Sequence, residues 1–160
     1  MRLSTRGRYG TRALLDLAVH WGEGPVPLKD IARRQEISLF YLEHLITPLV
    51  AAGIVKSTRG ARGGVSLLKH PQDIKLSEVI QLLEGSIAPV ECVNNPKAYP
   101  YSDLCATHDV WDEVKKAIDG VLESITLQNL IERQRQKWNL KQLKDHEQYC
   151  DNGIEANLTD

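Results

Sequence analysis

The residues of this chain most suited to chemistry are two cysteines and a histidine that share one short segment. Cys92, Cys105 and His108 lie in "ECVNNPKAYPYSDLCATHDVW", residues 91–111, which also contains two prolines and is prone to turns. Thiolate and imidazole groups are the usual ligands of zinc ions and iron–sulfur clusters. Such centres commonly take four protein ligands, so the segment is either a metal site that lacks one ligand or an irregular linker between helices.

The third cysteine, Cys150, follows His146 by four residues near the end of the chain. We interpret it as an incidental free cysteine. The cysteine count is odd, and the basic start of the chain does not lead into the apolar run of a signal peptide, so we expect no disulfide framework. No apolar run is long enough to span a bilayer, which predicts a soluble, cytoplasmic protein with no membrane partner.

The net charge of -1 conceals two halves of opposite sign. Residues 1–70 contain eleven basic and five acidic side chains, whereas residues 71–160 contain nine basic and sixteen acidic ones. A basic half joined to an acidic half indicates that only the first contacts a polyanion. Charge alone leaves open the alternative that both halves are ordinary solvated surfaces.

Apolar spacing predicts three helices in the basic half, followed by a β-hairpin. We expect the first helix over 5–21, the second over 28–35, and a third that begins near Ser38, a plausible N-cap, and ends at Gly53. Because the third helix contains Pro48, a kink or a tightened last turn is expected. The runs "IVKST" and "VSLLK" around "RGARGG" indicate a hairpin. Helix-turn-helix followed by a hairpin is the order of a winged helix, so the sequence predicts a mainly α fold with a small β-hairpin.

The acidic half is predicted to contain a short helix, the cysteine segment and a long amphipathic helix. The short helix covers 76–85, and the long helix starts at Asp109 and carries an apolar stripe that needs a partner. A break is expected at 124–126, where Thr126 caps a further helix. The stripe comprises Val110, Trp111, Val114, Ala117, Ile118, Val121, Leu122 and Ile125.

A winged helix places its recognition helix in a major groove, and here that is the third helix. Its early outward positions are Phe40, Tyr41, Glu43 and His44. Glu43 could accept a hydrogen bond from a cytosine amino group, His44 could donate to a purine acceptor, and Phe40 could press on a thymine methyl group. For Phe40 and Tyr41, packing against the first helix is an equally good interpretation.

Other basic residues are predicted to contact DNA outside the major groove. Arg59 and Arg62, on the glycine-rich turn of the hairpin, are suited to a narrow minor groove. A phosphate-cradling loop is the competing interpretation of that turn, but it requires a following helix and not the strand-like "VSLL". The start of the first helix supplies candidate anchors for the DNA backbone, namely Arg2, Thr5, Arg6, Arg8 and Tyr9.

Taken together, these segments resemble the IscR-like family, the iron–sulfur-cluster regulators among the bacterial winged-helix transcription factors. The resemblance covers about residues 1–135 and is carried by "LSTRGRYGTRALLDLA", "IARRQEISLFYLEHLI", "AAGIVKSTRGARGGVSL", "LSEVIQLLEG", "DLCATHDVW" and "SITLQNLIE". It implies a homodimer formed by the long helix, with two wings and two recognition helices on double-stranded DNA with a palindromic operator. It places Glu43 at the position of the family's base-reading glutamate and Arg59 at the position of its wing arginine. Phe40 and His44 stand at positions where small or amide side chains are common in the family.

The resemblance also implies a 2Fe-2S cluster ligated by three cysteines and one histidine. Cys92, Cys105 and His108 match three of these positions, and Tyr99 occupies the remaining cysteine position, where a phenol is a poor ligand for iron–sulfide chemistry. Three alternatives stay open: a cluster with a replacement ligand, a cluster-free or thiol-redox sensor, and a site for a single metal ion such as zinc. The candidate replacement ligands are Asp103, Glu91, a solvent species and a residue of the partner subunit.

The resemblance divides the chain into four parts. Residues 1–85 are expected to form the winged helix-turn-helix DNA-binding domain, 86–108 the cluster-binding or sensor loop, 109–137 the dimerisation helix with a short helix after it, and 138–160 a mobile tail.

We therefore predict a homodimeric, sequence-specific transcription regulator that senses cluster or redox status. It is not expected to be an enzyme, because the sequence contains no paired-carboxylate motif, metalloprotease motif or nucleophile elbow. The alternatives are a cluster-free repressor of the same fold and a mononuclear metal-sensing regulator. A metal-binding enzyme or electron carrier and a non-specific architectural DNA-binding protein are alternatives of other classes.

Overall fold

Three helices and a hairpin build the first half of the chain, as the apolar spacing predicts. The computed structural model describes the backbone of residues 3–99 and 101–155 and the side chains of residues 3–97, 99 and 101–141. The helices are α1 (Thr5–Val19), α2 (Leu28–Gln35) and α3 (Leu39–Ala51), and the antiparallel strands are β1 (Val55–Thr58) and β2 (Gly64–Leu67). The predicted mainly α fold with a small hairpin is confirmed.

Serine side chains set where α1 and α3 begin. Ser4 accepts a hydrogen bond from the N–H of Arg6 at 3.0 Å, and Ser38 accepts one from the N–H of Tyr41 at 3.2 Å. These bonds satisfy N–H groups that have no partner within a helix. The predicted cap at Ser38 is thereby confirmed, whereas α1 ends at Val19, two residues earlier than expected.

Two positive backbone angles define the turns on either side of α3. Glu36, with φ at 54°, lies in the tight connection between α2 and α3. Gly53, with φ at 70°, ends α3 in a conformation that glycine adopts without a steric penalty. The N–H of Gly53 donates to the carbonyl of Val50 at 3.0 Å, which tightens the last turn of the helix that contains Pro48. The predicted stop and tightened turn are both confirmed.

One hydrophobic core joins the helices to the hairpin. Each helix buries one face in it, and Val26 and Val65 exchange two backbone hydrogen bonds of 2.8 and 2.9 Å that tie the hairpin to the loop before α2. The recognition helix and the wing are therefore held in one packed unit. Its largest buried side chains are Leu14, Leu17, Ile31, Leu42, Leu49, Ile54, Val55, Val65, Ile74, Val79 and Leu127.

The segment after the hairpin contains two short elements between two regular helices. Helix α4 (Leu76–Glu84) packs against α1, and a single helical turn α5 (Glu91–Asn94) follows it. Two 3₁₀ turns, Pro96–Ala98 and Ser102–Leu104, then lead into α6 (Ala106–Ser124). Helix α6 thus begins three residues before the predicted start at Asp109, whose negative charge in the first turn favours a helix N-terminus.

The last helix, α7 (Leu127–Glu155), is longer than the short helix predicted after the break. Its start agrees with the prediction, because the side chain of Thr126 accepts a hydrogen bond from the N–H of Asn129 at 3.3 Å. Leu127 and Ile131 are buried in the core. Beyond them the helix continues through residues 138–155, where a mobile tail was expected, and this stretch contains no proline to break it.

The side chains of His146 and Cys150 lie outside the described residues. In the described part of the chain, no helix is both long enough and apolar enough to cross a membrane.

Candidate functional site

The outward face of α3 presents an aromatic pair whose ring planes are tilted by 54°. Phe40 is 73% exposed, and its ring centroid lies 4.4 Å from that of His44. The Nδ1 atom of His44 lies 2.8 Å from the carbonyl oxygen of Phe40, one turn earlier in the same helix. Glu43 is also exposed on this helix. Three of the four residues predicted to read bases are therefore accessible on the recognition helix.

Tyr41, the fourth of these residues, packs towards α1. It is half-buried, and its ring meets that of Tyr9 edge-on with the centroids 6.2 Å apart. The guanidinium groups of Arg8 and Arg12 lie 5.1 and 5.4 Å from the Tyr9 ring centroid, within the range of a cation–π contact. This cluster supports the packing interpretation of Tyr41 and sets the start of α1 against the recognition helix.

The N-terminus of α1 is held by a carboxylate from α4. The side-chain oxygen Oε1 of Glu84 accepts hydrogen bonds from the hydroxyl of Ser4 at 2.5 Å and from the N–H of Gly7 at 2.6 Å. A negative charge at this position also favours the positive end of the helix dipole. Thr5, Arg6 and Arg8, predicted to contact the DNA backbone, are exposed beside this contact, and Arg2 lies outside the described residues.

The wing places its two arginines on the turn between β1 and β2. Arg59 and Arg62 are both exposed there. The chain continues into β2, so the turn does not feed a helix N-terminus of the kind that a phosphate-cradling loop requires. The predicted hairpin is confirmed, and contact of its arginines with a minor groove stays a prediction.

A buried ion pair links α1 to α2 behind the recognition helix. Arg34 donates to both carboxylate oxygens of Asp16, at 2.9 and 2.5 Å, and the side-chain amide of Gln35 donates to the same group at 2.9 Å. Burial alone would raise the pKa of Asp16, but these hydrogen bonds outweigh it and hold the pKa below its ordinary value. Helix α1 is thus joined to α2, the first helix of the helix-turn-helix, by a charged, hydrogen-bonded contact.

The cysteine segment encloses a small cavity of about 180 Å³. Cys92 is half-buried and Cys105 is exposed. The Nε2 atom of His108 is buried and has no hydrogen-bond partner among the described residues. The structure therefore brings the three predicted ligand residues to one cavity. Its lining consists of Cys92, Tyr99, Tyr101, Ser102, Cys105 and His108.

Cys105 has an environment that favours its thiolate. The hydroxyl of Thr107 lies 3.1 Å from the sulfur, and hydrogen bonds from Thr107 and from the backbone of His108 lower the pKa of Cys105 below its ordinary value. Cys105 occupies the N-cap position of α6, and His108 lies in the first turn of that helix. A group bound by these two residues would therefore be attached to the start of α6.

The cavity supplies part of an iron–sulfur ligand set. Two thiols and an imidazole nitrogen without a partner are suitable donors, whereas Tyr99, Tyr101 and Ser102 offer only hydroxyl oxygens. Among the residues that the structure describes, no three acidic, cysteine or histidine side chains are arranged as a ready-made metal site. Asp103 and Glu91, proposed as replacement ligands, are exposed and do not line the cavity. The cavity thus collects three donors of suitable chemistry that are not in a ready-made ligand arrangement, and among the described lining residues no further thiol or imidazole is present.

The long helix α6 exposes apolar side chains that a soluble single chain would normally cover. Trp111 is 41% exposed, and Val110, Val114 and Val121 are exposed as well. Ile118, Leu122 and Ile125 of the same predicted stripe are half-buried, because α6 packs against α4. Three of the eight stripe residues are therefore partly covered within the chain, and the other five are exposed.

Several residues of these sites were not predicted from the sequence. Tyr101 and Ser102 line the cavity, Thr107 bonds to Cys105, and Glu84 holds the start of α1. Glu84 is separated from Ser4 by 80 positions, and the cavity lining comes from irregular turns, so no periodic signal marks them. The spacing of Thr107 two residues after Cys105 was the one local clue.

Known proteins share this architecture and much of its sequence. Residues 3–133 match the Rrf2 family model, described as iron-dependent transcriptional regulator. Protein rrf2 of Nitratidesulfovibrio vulgaris is 47% identical over 131 residues, which cover 82% of this chain and 87% of that protein. The transcriptional regulator CymR of Bacillus subtilis is 42% identical over 130 residues, which cover 81% of this chain and 89% of that protein.

Two solved structures extend the comparison to the fold. The structure of B. subtilis CymR, named there as the global cysteine regulator, has a TM-score of 0.72 at 40% identity and covers 83% of this chain and 98% of that one. The structure of T. potens IscR has a TM-score of 0.68 at 46% identity and covers 83% of this chain and 88% of that one. These relatives are transcriptional regulators and not enzymes, and the chain belongs to the Rrf2 family of transcriptional regulators.

Proposed function

We propose that this chain is a homodimeric, sequence-specific DNA-binding regulator whose operator binding depends on a 2Fe-2S cluster at residues 91–108. One observation carries the proposal. Cys105 and His108 lie at the N-cap and first turn of α6, the same helix whose apolar stripe is exposed further along. Binding or loss of a group at the cavity would therefore act directly on α6, the helix that joins the two subunits in this proposal.

The proposed DNA-binding surface combines the outward face of α3, the start of α1 and the wing. Glu43 and His44 would read base edges, and Arg59 would contact a minor groove. Arg6 and Arg8 would bind backbone phosphates, which adds affinity without sequence information. In a bacterial cell the chromosome lies in the cytoplasm, so the predicted cytoplasmic location is part of the same proposal.

The proposed dimer forms through the exposed stripe of α6. Trp111, Val114 and Val121 would pack against the same residues of a second copy around a two-fold axis. Two winged helices related by that axis would bind two half-sites of a palindromic operator. The spacing between half-sites would then depend on how the two α6 helices cross.

Cys92, Cys105 and His108 are the residues that would hold the cluster. A bound cluster supplies a group that responds to iron supply and to oxidants. The ligand residues of this chain would then connect α5 to the start of α6, so loading would fix the segment between them. The fourth ligand would come from solvent or from the partner subunit.

A cluster-free thiol sensor is the second candidate, and the environment of Cys105 favours it. The sulfur is exposed, and the hydroxyl of Thr107 lowers its pKa, so the thiolate is more populated than in an ordinary cysteine. In this case oxidation of Cys105 would take the place of cluster loss. The same face of α6 would transmit either signal.

Iron, sulfide and visible absorption of anaerobically prepared protein test the proposal. We expect the wild type to contain iron and sulfide in equal amounts, and Cys105→Ser to lose both. Tyr99→Cys restores the soft donor at the remaining position and should raise the loading. Equal loading of wild type and Tyr99→Cys would show that position 99 is not deficient. Wild type without iron and sulfide would reject the cluster and leave the thiol sensor.

A further inference from the structure

We propose that His44 reads its base as a hydrogen-bond acceptor, and therefore selects an exocyclic amino group of adenine or cytosine in the major groove. The inference rests on the proposed DNA-binding function and deepens it. It also differs from the sequence-based expectation, in which His44 donates to a purine acceptor.

The hydrogen bond within α3 determines which ring nitrogen carries the proton. Nδ1 of His44 lies 2.8 Å from the carbonyl oxygen of Phe40. A carbonyl oxygen can only accept, so Nδ1 must be the donor and must carry a hydrogen. In a neutral imidazole only one nitrogen is protonated. Nε2 is therefore left as an acceptor.

The same contacts hold the ring in place. The Phe40 ring contacts the His44 ring with the centroids 4.4 Å apart and the planes tilted by 54°. Together with the bond to Nδ1, this restricts rotation of the imidazole and leaves Nε2 directed away from the Phe40 carbonyl. Phe40 thus acts as a positioning residue for His44, and both side chains are exposed on the recognition helix.

The groups that the bases present in the major groove determine what an acceptor at Nε2 of His44 can contact. Adenine presents an amino donor at N6 and cytosine one at N4, whereas the outer groups of guanine and thymine at the corresponding positions are carbonyl acceptors. Helix α3 contains no lysine or arginine, the side chains that most often read guanine. Glu43 beside His44 is an acceptor as well. The exposed polar groups at these two positions both favour amino-bearing bases.

Selection from a pool of random duplexes tests the inference with the full chain. Binding is measured at pH 8, where an ordinary imidazole is neutral, for wild type, His44→Ala and Arg59→Ala. We expect the wild type to prefer one base pair at a defined position of each half-site, whose amino group, on adenine or on cytosine, lies in the major groove. His44→Ala should lose that preference and keep the rest of the motif. Arg59→Ala, the control, should weaken binding but keep the preference.

Atom replacement in the enriched duplex separates the two bases and the two hydrogen-bond directions. For adenine, purine lacks the amino group and 7-deazaadenine lacks the N7 acceptor; for cytosine, 2-pyrimidinone lacks the amino group. Removal of the amino group should weaken wild-type binding about 3- to 10-fold, the value of one hydrogen bond, and should affect His44→Ala by less than twofold. The 7-deaza replacement should change wild-type binding by less than twofold.

Two results would overturn the inference while leaving the proposed function intact. In the first, His44→Ala keeps the wild-type preference at every position. In the second, loss of N7 weakens wild-type binding when loss of the amino group does not. If the wild type enriches no motif, the proposed sequence-specific function fails, and the inference fails with it.

Discussion

At the scale of single residues, the ion pair between Asp16 and Arg34 joins α1 to the first helix of the helix-turn-helix. The Asp16 side chain is 3% exposed and that of Arg34 is 34% exposed, so removal of the carboxylate leaves a guanidinium partly buried without its charged partner. Asp16→Asn should therefore lower the free energy of unfolding at pH 7 by about 2–3 kcal/mol, less than for a fully buried pair. Denaturant unfolding of the two proteins measures this difference.

The pH dependence of this difference in unfolding free energy follows from the lowered pKa of Asp16. The pKa of Asp16 lies below its ordinary value in the folded chain, so the stabilisation is fully present above the unfolded pKa of about 4. It is lost as the pH falls through the lower, folded pKa. The gap between wild type and Asp16→Asn should thus shrink from pH 6 towards pH 2. Asp30→Asn, which breaks the exposed pair with Arg33, is the control and should cost less than about 0.5 kcal/mol.

The types of the site residues could be predicted from the sequence, but their partners could not. Cys92, Cys105 and His108 stand out because thiols and imidazoles are uncommon and occur close together. The isolated Nε2 of His108 and the acceptor state of His44 depend on hydrogen bonds, which residue spacing does not specify. The sequence alone therefore could not assign the direction of the hydrogen bond that His44 makes.

At the scale of elements, the contact between α1 and α4 holds the start of α1, where the proposed anchors for the DNA backbone lie. A methyl group at Gly7 would overlap Oε1 of Glu84, which accepts from the Gly7 N–H. Gly7→Ala should therefore displace the carboxylate and lower the free energy of unfolding by about 1–2 kcal/mol, as expected for the loss of hydrogen bonds to a charged group. Urea unfolding of the variant measures this cost.

A double variant separates this overlap from any intrinsic effect of alanine. In the Glu84→Ala background the overlap is absent, and Gly7→Ala should stabilise α1 by about 0.5–1 kcal/mol, because alanine favours a helix over glycine. If Gly7→Ala costs the same in both backgrounds, Glu84 is not what requires glycine at this position.

The regular elements could be predicted because apolar spacing, caps and breakers agree. Ser38, Gly53 and Thr126 mark helix ends in the sequence and in the structure. The length of α7 could not be predicted from the same signals, since its residues after Ile131 carry no regular apolar face. A helix without an apolar face gives no apolar spacing from which its length could be predicted.

At the scale of the whole molecule, the exposed stripe of α6 predicts self-association. Trp111→Glu places a charge in the middle of the proposed interface, and burial of that charge would be costly. We expect wild type to have twice the 18.0 kDa mass of one chain by light scattering, and Trp111→Glu to have the mass of one chain.

Trp21→Glu is the matched control for the dimer. Trp21 is 41% exposed, like Trp111, but lies after α1 and outside the stripe. This variant should keep the dimer mass. A monomeric wild type, or an unchanged mass of Trp111→Glu, would contradict the proposed interface. Loss of the dimer in both variants would show that the effect is not specific to α6.

The central claim is that the cavity at residues 91–108 controls binding of the two winged helices to DNA. The most direct test is an anaerobic titration of the enriched palindromic duplex at fixed salt, with protein loaded with iron and sulfide and with the same protein stripped by a chelator. We predict dissociation constants that differ at least about tenfold, or 1.4 kcal/mol, and no such difference for Cys105→Ser after the same treatments. Equal dissociation constants for loaded and stripped wild type would contradict the account.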